Sequence, residues 1–191
     1  VLLLNKALFY TVFIDFFPFH FSCSKKFKMK KKTTNNLAPY NPTPKEVVDI
    51  AIKMLNIQDD DVVYDVGCGK GAFLVEAAKQ VKSCERFVGI EYDESLYESC
   101  KENVQKYHLE DRVNVVKADA TKYDFSDATA MFLYLVPNGL RAIYSDLEKR
   151  LKDGCRIVSY TFSIPNLKPV KAISTTKAGL KLRLYDRSCF A

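Results

Sequence analysis

Glycine and proline are scarce in this chain, with seven of each among 191 residues and no repeat period. Their scarcity excludes a collagen-like or low-complexity protein. The six cysteines include no Cys-x-x-Cys pair, so the sequence shows neither a zinc knuckle nor a redox motif, and we expect no metal. An aromatic content of 13% argues against disorder throughout, and the length suits one globular domain.

The formal net charge of +6 is a local feature of the N-terminal region. Six lysines lie within residues 25–32, and without residues 1–32 the chain carries 22 basic and 22 acidic side chains. The charge therefore gives no reason to expect a nucleic-acid partner.

Residues 1–23 are apolar and rich in phenylalanine, yet they include Asp15 and Pro18. An Asp near the centre of a spanning helix costs about 2.5–3.5 kcal/mol on insertion scales. Three interpretations stay open: a membrane anchor, a targeting segment, or sequence that is not native and precedes a start at Met29. We treat residues 1–36 as an extension and residues 37–191 as the folded domain, which we expect to be monomeric.

From Leu37 onward, apolar residues alternate between helical and strand spacing. The first helix is expected to have Thr43 as N-cap, Pro44 at its first position and Glu46 completing a capping box. Strands are expected at 62–66, 87–90, 113–116, 130–134 and 156–160, helices at 72–81, 95–107 and 140–151, and a closing hairpin at 170–174 and 180–185. This alternation predicts an open α/β sheet with right-handed crossovers.

Three of the seven glycines, Gly67, Gly69 and Gly71, fall between the first strand and the helix that follows it. Glycines let the backbone turn tightly and approach a ligand, and a helix N-terminus offers unpaired amides. With Ala72 the same residues also satisfy the dinucleotide fingerprint. The motif by itself therefore leaves both S-adenosylmethionine and a nicotinamide cofactor open.

Three acids near strand ends bear on this choice. Asp65 lies two residues before Gly67, where its carboxylate can meet the ammonium of a methionine moiety. Glu91 is placed to accept both ribose hydroxyls, which would suit NAD equally well. Asp119 can accept from the adenine amino group, with Ala120 beside the ring. Each acid could instead be a cap or a turn residue, but together they favour S-adenosylmethionine.

At residues 37–187 the chain resembles the class I, seven-stranded S-adenosylmethionine-dependent methyltransferases. Within this family the chain most resembles a small subgroup. That subgroup includes uncharacterised bacterial methyltransferases and the mitochondrial protein-lysine methyltransferases that modify the adenine nucleotide translocase and the ATP synthase c-subunit. The similar segments are residues 39–44, 65–71, 89–91, 133–137 and 158–162. The resemblance implies a Rossmann-like twisted sheet of order 3-2-1-4-5-7-6 with strand 7 antiparallel, helices on both faces, and S-adenosylmethionine as cofactor.

The chain departs from many relatives at Lys70, where they carry an acid, but a lysine near the cofactor's carboxylate is compatible with binding. The resemblance also implies methyl transfer to a protein lysine, hence a protein partner. Tyr40 and Tyr134 are the candidates for the acceptor mouth, with no general base assigned, and we interpret His108 as a cap or surface residue. No Asn-Pro-Pro-Tyr motif follows the fourth strand, which disfavours an adenine or glutamine acceptor.

Three alternatives remain: a small-molecule methyltransferase of the same fold, a nucleotide-binding module without catalysis, and a membrane-anchored interaction protein. We expect an intracellular, cytoplasmic protein. A mitochondrial or membrane-anchored location, the latter through residues 1–23, is the alternative.

Overall fold

The computed structural model of the protein describes residues 40–176 and 179–190. The described helices are α1 (Lys45–Leu55), α2 (Ala72–Gln80), α3 (Glu94–Lys106), α4 (Pro137–Ala142) and α5 (Tyr144–Lys152), followed by a 3-10 turn at Arg187–Phe190. The strands are β1 (Val62–Val66), β2 (Arg86–Glu91), β3 (Val113–Lys117), β4 (Ala130–Leu133), β5 (Arg156–Tyr160), β6 (Lys171–Ser174) and β7 (Lys181–Tyr185).

The seven strands form one sheet in the order β3-β2-β1-β4-β5-β7-β6. Strands β1 to β5 pair in parallel, whereas β7 is antiparallel to both β5 and β6. The predicted α/β class, strand order and closing hairpin are therefore confirmed. Parallel strands buried on both faces need apolar side chains in succession, and β1 is buried at all five positions.

Helices cover both faces of the sheet, and each face has its own apolar core. Helices α1, α2 and α3 pack with the side chains of Val63, Phe132 and Val158 on one face. Helix α5 and the segment before β4 pack with those of Val62 and Met131 on the other. Because successive strand side chains point to opposite faces, both cores draw on the same strands.

The direction of winding reverses between β1 and β4, which are neighbours in the sheet. The chain leaves β1 toward β2 on one side, and β4 continues to β5 on the other. In open α/β sheets ligands bind beyond the carboxyl ends of the strands at this point, because the connections on either side diverge and leave a crevice. The fold therefore places a site at the ends of β1 and β4.

Two local predictions were wrong. Helix α1 begins after Pro44 with no side-chain cap, and Glu46 accepts from the Thr176 hydroxyl at 2.6 Å instead of completing a capping box. A tertiary contact between residues 130 positions apart has taken the carboxylate that a local box would use. The single helix expected at 140–151 is two helices, α4 and α5, interrupted at the fully buried Ile143 with φ of −111°.

The apolar stretch 1–23 and the lysines at 25–32 lie outside the described residues. Within residues 40–176 and 179–190, no helix has the length and hydrophobicity needed to cross a bilayer.

We predict that the chain lacking residues 1–36 folds and binds S-adenosylmethionine. The seven described strands and both cores are formed by residues beyond that point, so we expect them to pack in the truncated chain. Circular dichroism and calorimetry on the truncated and full chains are the measurements. Loss of cooperative unfolding in the truncated chain would contradict the assigned domain boundary.

Candidate functional site

The turn between β1 and α2 depends on three glycines with positive φ: Gly67 at 76°, Gly69 at 55° and Gly71 at 79°. Side chains with a Cβ are strained in this region. The N–H groups of Gly67 and Cys68 both donate to the Ile90 carbonyl, at 2.8 and 3.0 Å. The turn is thereby tied to the end of β2.

Glu91, at the end of β2, holds this turn with its side chain. One carboxylate oxygen accepts from the Gly69 N–H at 2.8 Å, and the other accepts from the N–H groups of Tyr92 and Asp93, each at 2.8 Å. A carboxylate offers about four lone-pair sites, so one remains for a ribose hydroxyl. As positioned here, Glu91 could accept both ribose hydroxyls only by giving up a backbone partner.

Asp65 is the fourth residue of β1, two residues before Gly67, and is 4% exposed. Burial, together with the nearby Glu91 carboxylate, raises the pKa of its carboxyl to about 8, although the hydrogen bond from the Leu74 N–H lowers it. A buried acid of this kind is stabilised in its ionised form by a cation placed beside it. Asp65 is therefore suited to receive an ammonium group.

Gly69 and Gly71 serve different purposes. A Cβ at Gly69 would lie 2.7 Å from the Tyr40 ring, so this glycine allows Tyr40 to cover the turn. A Cβ at Gly71 would lie 2.6 Å from the Cys100 sulfur, so that glycine permits close packing of α3. A larger side chain at position 69 would displace Tyr40, a reason that the sequence alone did not reveal.

Asp119 follows β3 by two residues and forms a turn with Thr121. One of its oxygens accepts from both the Thr121 N–H and hydroxyl, at 3.0 and 2.7 Å, and the hydroxyl bond is the main cause that lowers the carboxyl pKa. The acid therefore has the alternative role of a turn residue. Its second oxygen lies 4.0 Å from the Lys122 ammonium, and it is the oxygen that we predict to accept from the adenine amino group.

On the opposite wall, residues 40–44, which we call the lead-in segment, cross the carboxyl end of β4. The Asn41 side-chain amide donates to the Tyr134 hydroxyl at 2.7 Å. The Tyr134 ring packs against Tyr160 with ring centroids 4.6 Å apart. These contacts join the lead-in segment to the ends of β4 and β5 and bring Tyr40 and Tyr134 to one cavity.

That cavity has a volume of about 300 Å³. It brings together all the predicted cofactor and acceptor residues except Gly71, which lies behind its wall: Tyr40, Asp65, Gly67, Gly69, Glu91, Asp119, Ala120 and Tyr134. His108 is exposed at the end of α3 and does not line it.

Sequence reasoning missed two further groups of the cavity wall. Phe132 lines the cavity and stacks on Phe73 at 4.3 Å between centroids, but its position in a buried apolar strand looked like ordinary core. Asn41 was seen only as part of a proline-rich stretch, because its partner Tyr134 is 93 positions away. No local sequence pattern could have predicted the hydrogen bond between Asn41 and Tyr134.

Comparison with known proteins agrees with this geometry. A family model described as the ANTKMT methyltransferase domain matches residues 65–171. A protein-lysine N-methyltransferase of Saccharolobus islandicus (strain REY15A) is 32% identical over 147 residues, which cover 77% of this chain and 91% of that protein. The chain belongs to the ANTKMT methyltransferase domain family.

Two other proteins similar to this chain have names that state different substrates. A probable cobalt-precorrin-6B C(15)-methyltransferase of Pyrobaculum calidifontis is 31% identical over 129 residues, covering 66% of this chain and 65% of that protein. An RNA methyltransferase from Salinibacter ruber, solved with S-adenosyl-L-homocysteine, superposes with a TM-score of 0.69 at 29% identity, covering 76% and 92% of the two chains.

The protein is thus an S-adenosylmethionine-dependent methyltransferase, and its cavity suits that cofactor. Added Cβ atoms at Gly67 and Gly69 would lie 3.1 Å from Leu135 and 2.7 Å from Tyr40, so the turn has room only for backbone. Two buried carboxylates, those of Asp65 and Glu91, line the same cavity. The roles of individual residues toward the cofactor remain predictions.

We predict that the affinity of this methyltransferase for S-adenosylmethionine rises with pH up to about 8. The carboxyl of Asp65 is mainly protonated below that pH in the free protein, whereas the ammonium of the cofactor favours the ionised form. Binding must then release a proton, and affinity rises about tenfold per pH unit. Calorimetry in two buffers of different ionisation enthalpy measures both quantities.

The Asp65→Asn variant checks the assignment. It should bind the cofactor more weakly and without this pH dependence. In the free protein, the raised pKa means that folding favours protonated Asp65, so wild-type stability falls as pH rises from about 4 to 8. The variant should escape that loss and unfold at a higher temperature than wild type at pH 8. An unchanged pH profile of binding in the variant would refute the role.

Proposed function

We propose that the methyl acceptor is the ε-amine of a lysine in a protein substrate. The observation that carries this proposal is the similarity to the protein-lysine N-methyltransferase of Saccharolobus islandicus, because it extends over 91% of that protein. Matches to relatives with other named substrates cover less of the partner or have lower identity. The shape and charge of the cavity provide further support.

The acceptor side of the cavity is aromatic and narrow. Tyr40 covers the glycine turn, Tyr134 accepts a hydrogen bond from Asn41, and the buried Phe132 of β4 lines the same cavity. A mouth bounded by these rings suits a flexible unbranched side chain better than a nucleobase.

The charge of the cavity argues against a polyanionic acceptor. Among the described residues, its lining includes the acids Asp65, Glu91, Asp93 and Asp119 and one basic side chain, Lys70. RNA binding draws mainly on Lys and Arg contacts to phosphates. An acidic lining of this kind repels a polyanion, which argues against the RNA substrate named for the Salinibacter ruber protein.

S-adenosylmethionine supplies a methyl group already activated on a sulfonium. The protein must therefore align the acceptor nitrogen and keep water out, and alignment alone accounts for much of the rate in such reactions. The amine has to be neutral to attack, and its reference pKa is about 10.4. The aromatic wall of Tyr40, Phe132 and Tyr134 lowers that pKa by desolvation, which raises the neutral fraction.

The experiment is to add the enzyme and tritiated S-adenosylmethionine to a lysate from cells that lack it. We expect label on protein lysines, identified by mass spectrometry, with a rate that increases between about pH 7 and 9 as the amine loses its proton. The Asp65→Asn variant serves as the control for enzyme-dependent labelling. Label confined to RNA, small molecules or glutamine would refute the lysine acceptor.

Replacing Tyr134 with alanine should lower turnover about a hundredfold while changing the Kd for S-adenosylmethionine little. The ring lies on the acceptor side, and misplacement of a reacting group by about 1 Å can cost that much in rate. The matched control is Tyr107→Ala, since Tyr107 directly follows α3, is 43% exposed and does not line the cavity. Unchanged turnover in the Tyr134 variant would remove this residue from the acceptor site.

A further inference from the structure

The charges around the cavity do not match every charge of S-adenosylmethionine equally. The cofactor carries two cationic groups, a sulfonium and an α-ammonium, and one anionic group, the α-carboxylate. Four of the described residues that line the cavity are acids, so the two cationic groups of the cofactor have several candidate partners: Asp65, Glu91, Asp93 and Asp119. Among the described residues that line it, Lys70 alone is cationic. The carboxylate therefore has one candidate for a charged partner.

Lys70 occupies a fixed place in the glycine turn. Its carbonyl oxygen accepts from the Asn103 side-chain amide at 2.9 Å, which ties the backbone of the turn to α3. Its ammonium lies 5.8 Å from the centre of the Tyr40 ring, and that ring itself covers Gly69. The face of an aromatic ring attracts a cation, so Tyr40 favours a position of this exposed ammonium beside the cavity wall.

The charge of Lys70 is not neutralised by a neighbouring acid. Within residues 40–176 and 179–190, no carboxylate oxygen lies within 4.0 Å of its ammonium. Other lysines near the site are paired: Lys79 with Glu76 and Lys117 with Glu94. Lys70 can therefore bind an anionic ligand without first breaking an ion pair.

Geometry within the cofactor links this lysine to Asp65. The α-ammonium and α-carboxylate are attached to the same carbon, so they must bind to neighbouring parts of the cavity. Asp65 is the buried acid suited to the ammonium, and it precedes the glycine turn by two residues. The cation that this turn presents to the cavity is Lys70.

We propose that Lys70 binds the α-carboxylate of S-adenosylmethionine, so that Asp65 and Lys70 together recognise the amino-acid end of the cofactor. The two side chains bind the oppositely charged ammonium and carboxylate of this zwitterionic end. They therefore discriminate against adenosine compounds that lack one or both of these groups. This inference concerns the cofactor alone and does not depend on the identity of the methyl acceptor.

The test is calorimetry with three ligands on the full chain. Decarboxylated S-adenosylmethionine keeps the sulfonium, the adenosine and an amine but lacks the carboxylate, and methylthioadenosine lacks the whole amino-acid end. Lys70→Ala should bind S-adenosylmethionine about tenfold more weakly, as loss of a partly exposed charged hydrogen bond predicts. Its affinity for each of the other two ligands should stay within about twofold of wild type.

Charge and geometry can be separated with two more variants. Lys70→Arg keeps the cation and should retain most of the affinity for S-adenosylmethionine. Lys70→Glu should weaken that affinity more than Lys70→Ala and should strengthen the binding of the decarboxylated ligand, because it adds attraction for a cation and removes repulsion.

Lys79→Ala is the matched control. The Lys79 ammonium also lies over a tyrosine ring, 4.6 Å from the centre of Tyr107, but Lys79 does not line the cavity. This variant should bind all three ligands as wild type does.

Two results would overturn the proposal. One is an unchanged affinity of Lys70→Ala for S-adenosylmethionine. The other is an equal loss for all three ligands, which would mean that Lys70 acts by shaping the turn rather than by binding the carboxylate. Thermal unfolding of each free variant is measured alongside, and it should match wild type because the bond from Asn103 is made to the backbone of Lys70.

Discussion

The hydrogen bond from the Gly69 N–H to Glu91 is the constraint on which the site depends. It joins the turn after β1 to the end of β2, and the other carboxylate oxygen of Glu91 holds the start of the next connection through Tyr92 and Asp93. Three glycines in left-handed conformations make the turn tight enough for that bond. Once the turn is set, Tyr40 can cover Gly69 and the cavity acquires both of its walls.

The same arrangement places two carboxyl groups close together in a buried site, which is electrostatically unfavourable when both are ionised. Asp65 and Glu91 are both buried beside the turn, and the Asp65 carboxyl has a pKa of about 8 as a result. A neutral side chain at position 65 would suit the empty fold better, but it would give up the partner for the cofactor's ammonium. Local destabilisation of this kind is common at binding sites, because a buried group that pairs with the ligand has no such partner in the free protein.

Much of the fold could be predicted from local pattern, and the failures have a common cause. Strand β5 was predicted at its observed bounds, and β1 likewise, since short apolar runs between polar turns have few other interpretations. The capping box at Thr43 failed because Glu46 contacts Thr176, 130 positions away. The break at Ile143 was missed because packing against the sheet, rather than helix propensity, decides the backbone there.

By itself the sequence determined the alternation of strands and helices, the glycine turn, and the acids at the carboxyl ends of β1 and β2, since each of these is a short-range pattern with its own physical reason. The tertiary structure alone decided which distant residues share the cavity. It paired Asn41 with Tyr134, placed the Tyr40 ring over Gly69 and Gly71 against Cys100, and left Lys70 as the one cation among the acids of the described lining. Contacts of this kind depend on how the sheet brings the ends of separate strands together. The spacing of residues along the chain does not reveal which of those ends become neighbours.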